Sequence, residues 1–223
     1  MTHSQPQGFL AVPPTGKGPG VLVLHAWWGL NDTFRAFCTQ LAECGFVAFA
    51  PDLYHGKVAA TIQDAKSLAR MLDEKQAKAD IAEAIAFLRE RAAGGHEFAV
   101  IGFSLGASYA LDLAPTAPEG IRAVVIFYGT GGGDFGQSKA EYLGHFAETD
   151  EFESDADVDA LEGALRAAGR PVTFYRYKGT GHWFFERDRE GAYNQDAATL
   201  AWERTLSFLR KTLPAEESQR AAA

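Results

Sequence analysis

Apolar residues in this chain come in short unbroken bursts, separated by longer stretches in which they recur every three or four positions. The bursts are Gly20–His25, Phe46–Ala50, Phe98–Phe103, Ala123–Tyr128, Tyr142–Thr149 and Val172–Tyr177. Continuous runs of this kind are expected of strands buried on both faces. Helical spacing falls near Asn31–Cys44, Thr61–Leu72, Gln76–Ala92, Leu105–Leu113, Asp155–Ala168 and Ala192–Leu213. Strand and helix in alternation predict an α/β fold: a three-layer sandwich with a mostly parallel central sheet and helices on both faces. No repeat, low-complexity tract or linker interrupts the pattern. A single domain over residues 1–223 is therefore expected, with about 1–8 and 215–223 flexible. Ligands of such folds sit beyond the carboxyl ends of the strands, so the residues just after each strand are where chemistry is sought.

Composition narrows the function. The 223 residues are 47% hydrophobic, enough for one well-filled core. Against 29 Asp and Glu stand 21 Lys and Arg, a net charge of −8 that argues against a nucleic-acid partner. The start, Met1-Thr2-His3-Ser4-Gln5-Pro6-Gln7-Gly8, has neither a basic opening nor an apolar stretch, so no secretion signal is expected. No apolar run approaches the roughly 18 residues that suggest a membrane span. Cys38 and Cys44 fall on one predicted helix about 9 Å apart along its axis and on different faces, too far for a disulfide. A cytoplasmic protein, monomeric or homodimeric, is the expectation.

The pentapeptide Gly102-Phe103-Ser104-Leu105-Gly106 joins a predicted strand to a predicted helix. Gly-x-Ser-x-Gly in that context is the pattern of a nucleophile elbow, a turn so tight that the serine hydroxyl projects alone. A serine needs a base, and the base needs an orienting partner. Of the six histidines, His182 in Gly179-Thr180-Gly181-His182-Trp183 follows the last predicted strand and lies downstream of Ser104. His25 ends an early strand, His55 follows Pro51-Asp52-Leu53-Tyr54, and His145 sits inside a strand. His96 lies at the far end of the Ser104 strand, and His3 in the flexible start. For the acid, Asp150 directly follows the fifth run, and Asp134 is its rival. The order Ser104, Asp150, His182 is that of α/β-hydrolases.

An acyl-transfer site also needs donors for a developing oxyanion. The Leu105 amide at a helix start suits this, and the Trp27 amide, in the loop His25-Ala26-Trp27-Trp28-Gly29, is the expected second donor. Trp28, Trp183 and Phe184, with Tyr54 and Tyr128 from two strand-following segments, are expected to wall a substrate pocket together with the Trp27 indole and Phe185; the alternative is that these aromatic residues, Phe184 and Phe185 above all, fill core beneath the loops. No metal site is expected. Asp155-x-Asp157-x-Asp159 resembles the start of a calcium loop, but its sixth and twelfth positions are Ala160 and Arg166, where glycine and glutamate are required. An acidic helix start capped by Ser154 explains the run. The glycine-rich Gly129–Gly136 lacks the Gly-Lys-Ser/Thr ending of a phosphate cradle and reads as a loop bordering the site.

Taken jointly, His25–Gly29, Pro51-Asp52-Leu53-Tyr54, Gly102–Gly106, Phe127-Tyr128-Gly129, Asp150 before Phe152, and Gly179-Thr180-Gly181-His182 resemble the dienelactone hydrolase family of α/β-hydrolases. The likeness runs from about Gly8 to Leu213. It implies an α/β-hydrolase fold and a cofactor-free enzyme that cleaves lactones or esters, with a triad matching Ser104, Asp150 and His182. A small-molecule ester or lactone is then the expected partner. A thioesterase, an acyl-peptide hydrolase, or a non-catalytic binding protein on the same scaffold are the alternatives. Three departures stand out. The family's usual nucleophile is cysteine, here Ser104; its thiol-contacting glutamate is here Ala26; and an arginine that holds the substrate carboxylate four residues after the histidine is here Glu186. A serine activated by His182 needs no thiolate-forming glutamate, and Glu186 in place of arginine is expected to repel a carboxylate substrate.

Overall fold

The computed structural model of the chain describes residues 4–116 and 119–213, and the backbone alone at 94–96. The tail expected to be flexible, His3, and the His96 side chain lie outside the described residues. Among the described residues, seven strands form one hydrogen-bonded order, β1-β3-β2-β4-β5-β6-β7. Internal contacts divide the chain into two compact units, one running to Phe98 and the other from Ala99, so that β4 (Ala93–Phe103) belongs to both.

The first unit holds β1 (Gly8–Ala11), β2 (Pro19–Leu24) and β3 (Val47–Pro51), with α1 (Asp32–Glu43), α2 (Ile62–Met71) and α3 (Glu74–Arg91). β2 and β3 are parallel, Gly20 opposite Val47. β1 is an antiparallel edge, Gly8 opposite Pro51, which the hydrophobic pattern does not predict: four residues are too few to display a period. Residue 8 is glycine for a steric reason, since a Cβ there would lie 2.4 Å from the Ala50 carbonyl oxygen. Instead of being loose up to residue 8, the chain is tied before the strand begins, the Gln7 carbonyl accepting the Asp52 N–H at 3.0 Å. Helix α1 starts where the Asn31 side chain accepts the Phe34 N–H, and it buries Phe34, Phe37, Cys38, Leu41 and Ala42, the stripe that helical spacing dictates.

The second unit contains β5 (Ile121–Phe127), β6 (Glu141–Ala147) and β7 (Val172–Tyr177), with α4 (Leu105–Thr116), α5 (Asp155–Ala167) and α6 (Gln195–Thr212). The three strands are parallel, Ala123 opposite Glu141 and Tyr142 opposite Val172. Ser154 caps α5, and Arg176 pairs with both Asp155 and Asp159. Beneath β6 the buried His145 bridges the Tyr177 hydroxyl (2.7 Å) and Thr205 Oγ1 (3.0 Å), and burial pushes its pKa down to about 3. A neutral imidazole with both nitrogens bonded is a core residue, not a base. No helix among the described residues is long and apolar enough to cross a membrane.

Candidate active site

The turn after β4 is built around two glycines. A Cβ on Gly102 would fall 2.3 Å from the Gly106 carbonyl oxygen and 2.6 Å from the Ala107 Cα, so strand and helix backbones meet there. Ser104 is forced to φ +49°, a left-handed conformation uncommon for a residue with a side chain, and is held by its N–H to the Phe127 carbonyl at 2.9 Å. Gly102→Ala should therefore destabilise the protein by about 1–3 kcal/mol or more, read as a lowered urea midpoint, because backbone and not a flexible side chain must yield. The same crowding explains Gly129 after β5: its missing Cβ leaves room for Ala107 Cβ (2.6 Å) and the Ser104 carbonyl (2.7 Å).

Asp150 and His182 hang on neighbouring loops that are tied together. After β6, the Thr149 N–H reaches the Thr180 carbonyl (3.2 Å), and the Glu148 carboxylate accepts the Gly179 N–H (2.8 Å). Asp150 Oδ1 accepts the N–H groups of Phe152 (2.8 Å) and Glu153 (3.0 Å), which fixes its carboxylate plane. His182 Nδ1 lies 2.8 and 2.9 Å from the two Asp150 oxygens, and its Nε2 lies 2.9 Å from Ser104 Oγ. The His182 and Asp150 side chains are 4% and 6% exposed. An Nδ1–H directed at the carboxylate leaves Nε2 as the acceptor for the serine proton. Asp134 is elsewhere occupied, accepting the Gly136 N–H to cap the short turn Phe135–Gln137.

Around His182 stand the rings of Phe152 (4.8 Å), Tyr128 (5.0 Å) and Trp183 (5.5 Å). Phe152 is 42% exposed, Trp183 is half-buried, and Tyr128 and Phe184 are wholly buried, Phe184 packing on Tyr128 and Tyr177. Phe185, also half-buried, packs on Phe103 and Phe127. Two further contacts escape sequence reasoning. Thr130 donates to Glu153 Oε2 at 2.5 Å, and the Thr130 carbonyl accepts the Ser108 hydroxyl from α4 at 3.0 Å, so the glycine-rich loop is stitched to the Asp150 loop and to α4. Burial raises the Glu153 pKa, and the Thr130 bond and the His182 charge oppose that rise.

Glu186 is not where the sequence places it. Counting four residues from His182 suggests a group facing the substrate. Instead tight turns, with the Glu186 N–H on the Trp183 carbonyl (3.0 Å), carry it inward to 0% exposure. Its Oε1 accepts the Tyr128 hydroxyl at 2.9 Å, and burial pushes its pKa up to about 8. It therefore carries little negative charge at neutral pH, and the expected repulsion of a carboxylate substrate does not follow. The linkage runs in one direction. A folded-state pKa above the unfolded value of 4.5 makes its stabilisation complete below that pH and lost as pH rises through about 8. Denaturant titrations of Glu186→Gln should show a flatter fall of stability over this window than the parent.

The remaining candidates from the sequence fall in the first unit. Trp28 and Tyr54 are buried, and Trp27 is half-buried with its ring edge-on to Trp28 at 5.5 Å. Ala26 is buried as well. His25 holds the scaffold together, its Nε2 accepting the Leu53 N–H at 3.2 Å and its Nδ1 donating to the Ala26 carbonyl at 2.7 Å, which joins the two motif loops of that unit. His55 pairs with Asp80 at 3.0 Å.

The model of the dienelactone hydrolase family matches residues 7–213. Protein usf of Aquifex pyrophilus is 34% identical over 217 residues, covering 93% of this chain and 94% of its own. The carboxymethylenebutenolidase of Rhodococcus opacus is 27% identical, with 89% and 83% covered. Among solved structures, a dienelactone-hydrolase-like promiscuous phosphotriesterase from metagenomic libraries superposes with a TM-score of 0.77 at 23% identity, covering 89% of this chain and 88% of that one, a likeness of fold alone. The architecture is the α/β-hydrolase fold.

Proposed function

From the premise that the chain belongs to the dienelactone hydrolase family and is a hydrolase of that kind, we propose that it cleaves an uncharged carboxylic ester or lactone through Ser104, His182 and Asp150. The observation that carries this reading is the continuous path from Ser104 Oγ to His182 Nε2 (2.9 Å) and from His182 Nδ1 to Asp150 (2.8 Å). In this reading Ser104 Oγ attacks the substrate carbonyl as its proton passes to His182 Nε2. Asp150, accepting from Nδ1–H, holds the imidazole in the required tautomer and stabilises the imidazolium. The Leu105 N–H, at the start of α4 where amides lack an intrahelical acceptor, meets the oxyanion. Collapse of the tetrahedral intermediate releases the alcohol with the proton from His182, or opens the lactone ring. Water, activated by His182, then frees the acid from Ser104.

The preference for an uncharged acyl group rests on the surround of His182, which is aromatic (Tyr128, Phe152, Trp183) or acidic (Asp150, Glu153). The partly exposed Phe152 ring, 5.3 Å from Trp183, suits contact with an apolar acyl chain. A small uncharged molecule fits this lining. The test is fluorophosphonate labelling of the parent and of Ser104→Ala, followed by p-nitrophenyl esters, thioesters and lactones of graded size and charge. Labelling confined to the parent, with neutral esters or lactones turned over fastest, supports the proposal. Labelling that persists in Ser104→Ala, or a preference for thioesters, overturns the assignment of the nucleophile or of the substrate class.

A further inference from the structure

Glu186 is a buried acid that the proposed chemistry does not use, and its surroundings are unusual on two counts. One oxygen, Oε1, holds the Tyr128 hydroxyl at 2.9 Å, and the other, Oε2, is buried with no hydrogen-bond partner among the described residues. Tyr128 is itself strained: its φ is +37°, left-handed for a bulky residue, and its N–H is anchored on the His145 carbonyl at 2.8 Å. Its ring, fastened at the backbone and at the hydroxyl, lies against the His182 imidazole at 5.0 Å and 56°. His182 and Glu186 belong to one run of turns, pinned by Phe184 N–H on the Gly181 carbonyl and Asn194 N–H on the Phe184 carbonyl.

We propose that Glu186 is a positioning residue for the base: through Tyr128 it fixes the surface against which the His182 imidazole rests. The inference rests on His182 acting as the base of the reaction proposed above. It has a consequence for pH. Around Glu186 the titratable and charged groups are the Tyr128 phenol, Asp188 and Arg189, with Arg189 paired to Asp188 at 2.6 Å and Asp150 and His182 beyond the Tyr128 ring. Burial and Asp188 keep the proton on Glu186, while the Tyr128 bond and Arg189 oppose them, and the balance falls near pH 8. The phenol stays protonated well beyond that, so Tyr128 donates throughout. Once Glu186 ionises, it is charged at a position closed to solvent, a state relieved when the turn opens to water. Opening that turn draws His182 away from Ser104.

The experiment measures kcat and KM for a neutral ester, from about pH 6 to about pH 10, on the parent, Glu186→Gln, Glu186→Ala, Tyr128→Phe and Ser104→Ala. The parent is expected to lose kcat about tenfold or more on passing through pH 8. Glu186→Gln keeps an acceptor for Tyr128 but has no proton to lose, and its alkaline fall should vanish. Glu186→Ala and Tyr128→Phe should lower kcat at neutral pH by about tenfold with KM little changed, and Glu186→Gln should restore most of that loss. An alkaline fall of equal size in Glu186→Gln, or parental kcat at all pH values in Glu186→Ala and Tyr128→Phe, overturns the inference. If Glu186→Ala does not fold, Glu186→Gln and Tyr128→Phe decide it. Ser104→Ala separates the two levels: activity surviving there refutes the reading of the site, whereas an inactive Ser104→Ala beside an unaltered Glu186→Gln profile refutes only the role of Glu186.

Discussion

Ser104→Ala should lower ester turnover by about 10⁴- to 10⁶-fold while leaving the urea midpoint close to that of the parent. The size follows from what is removed. In the proposed mechanism no covalent acyl intermediate can form without Oγ, and His182 has no serine proton to accept. What would survive is the modest catalysis of binding and oxyanion donors. The fold should be indifferent because Ser104 is held by its backbone, through its N–H on the Phe127 carbonyl, and its side chain makes its bond at Oγ to His182. Steady-state rates on a neutral p-nitrophenyl ester, together with urea titrations, check both halves. Turnover within tenfold of the parent would remove Ser104 from the chemistry.

Asp150→Asn should cost about 10⁴-fold in kcat, and Asp134→Asn less than about threefold. Asp150 accepts from His182 Nδ1 and simultaneously from the Phe152 and Glu153 amides. An amide in its place presents N–H groups, so the imidazole is pressed toward the tautomer whose Nε2 carries hydrogen and cannot take the serine proton. Asp134 caps a short turn through the Gly136 N–H, and asparagine caps as well. Measuring both variants on one substrate makes the comparison direct, and a larger loss in Asp134→Asn would transfer the role of acid to that residue.

The candidate triad is readable in the sequence because its signals are local and ordered. A Gly-x-Ser-x-Gly at a strand end, an aspartate after the next-but-one strand and a histidine in a glycine-flanked loop each declare themselves within a few residues. Their order along the chain then restricts the topology. Choosing Asp150 over Asp134 needs geometry, since both follow strands, and only one of the two loops carries its carboxylate to His182. β1 is illegible because four residues show no period, and because its pairing with β3 lies some forty positions away (Gly8 opposite Pro51). Glu186 misleads for a more instructive reason. Spacing gives distance along the chain, but the segment after His182 is a succession of turns, and turns do not preserve the side a residue faces. Its partner Tyr128 lies 58 positions earlier, so nothing in the neighbourhood of Glu186 announces the contact.

The bonds between the Asp150 and His182 loops, Thr149 N–H to the Thr180 carbonyl and Gly179 N–H to the Glu148 carboxylate, also bear on how this centre would be lost. Loops fastened to each other open as one cooperative piece. A fluctuation that frees the His182 loop is then expected to loosen the Asp150 loop as well, so that the two side chains leave their places together. Evolution is constrained in the same way: a change in either loop is felt by both groups, and drift in one must be answered in the other.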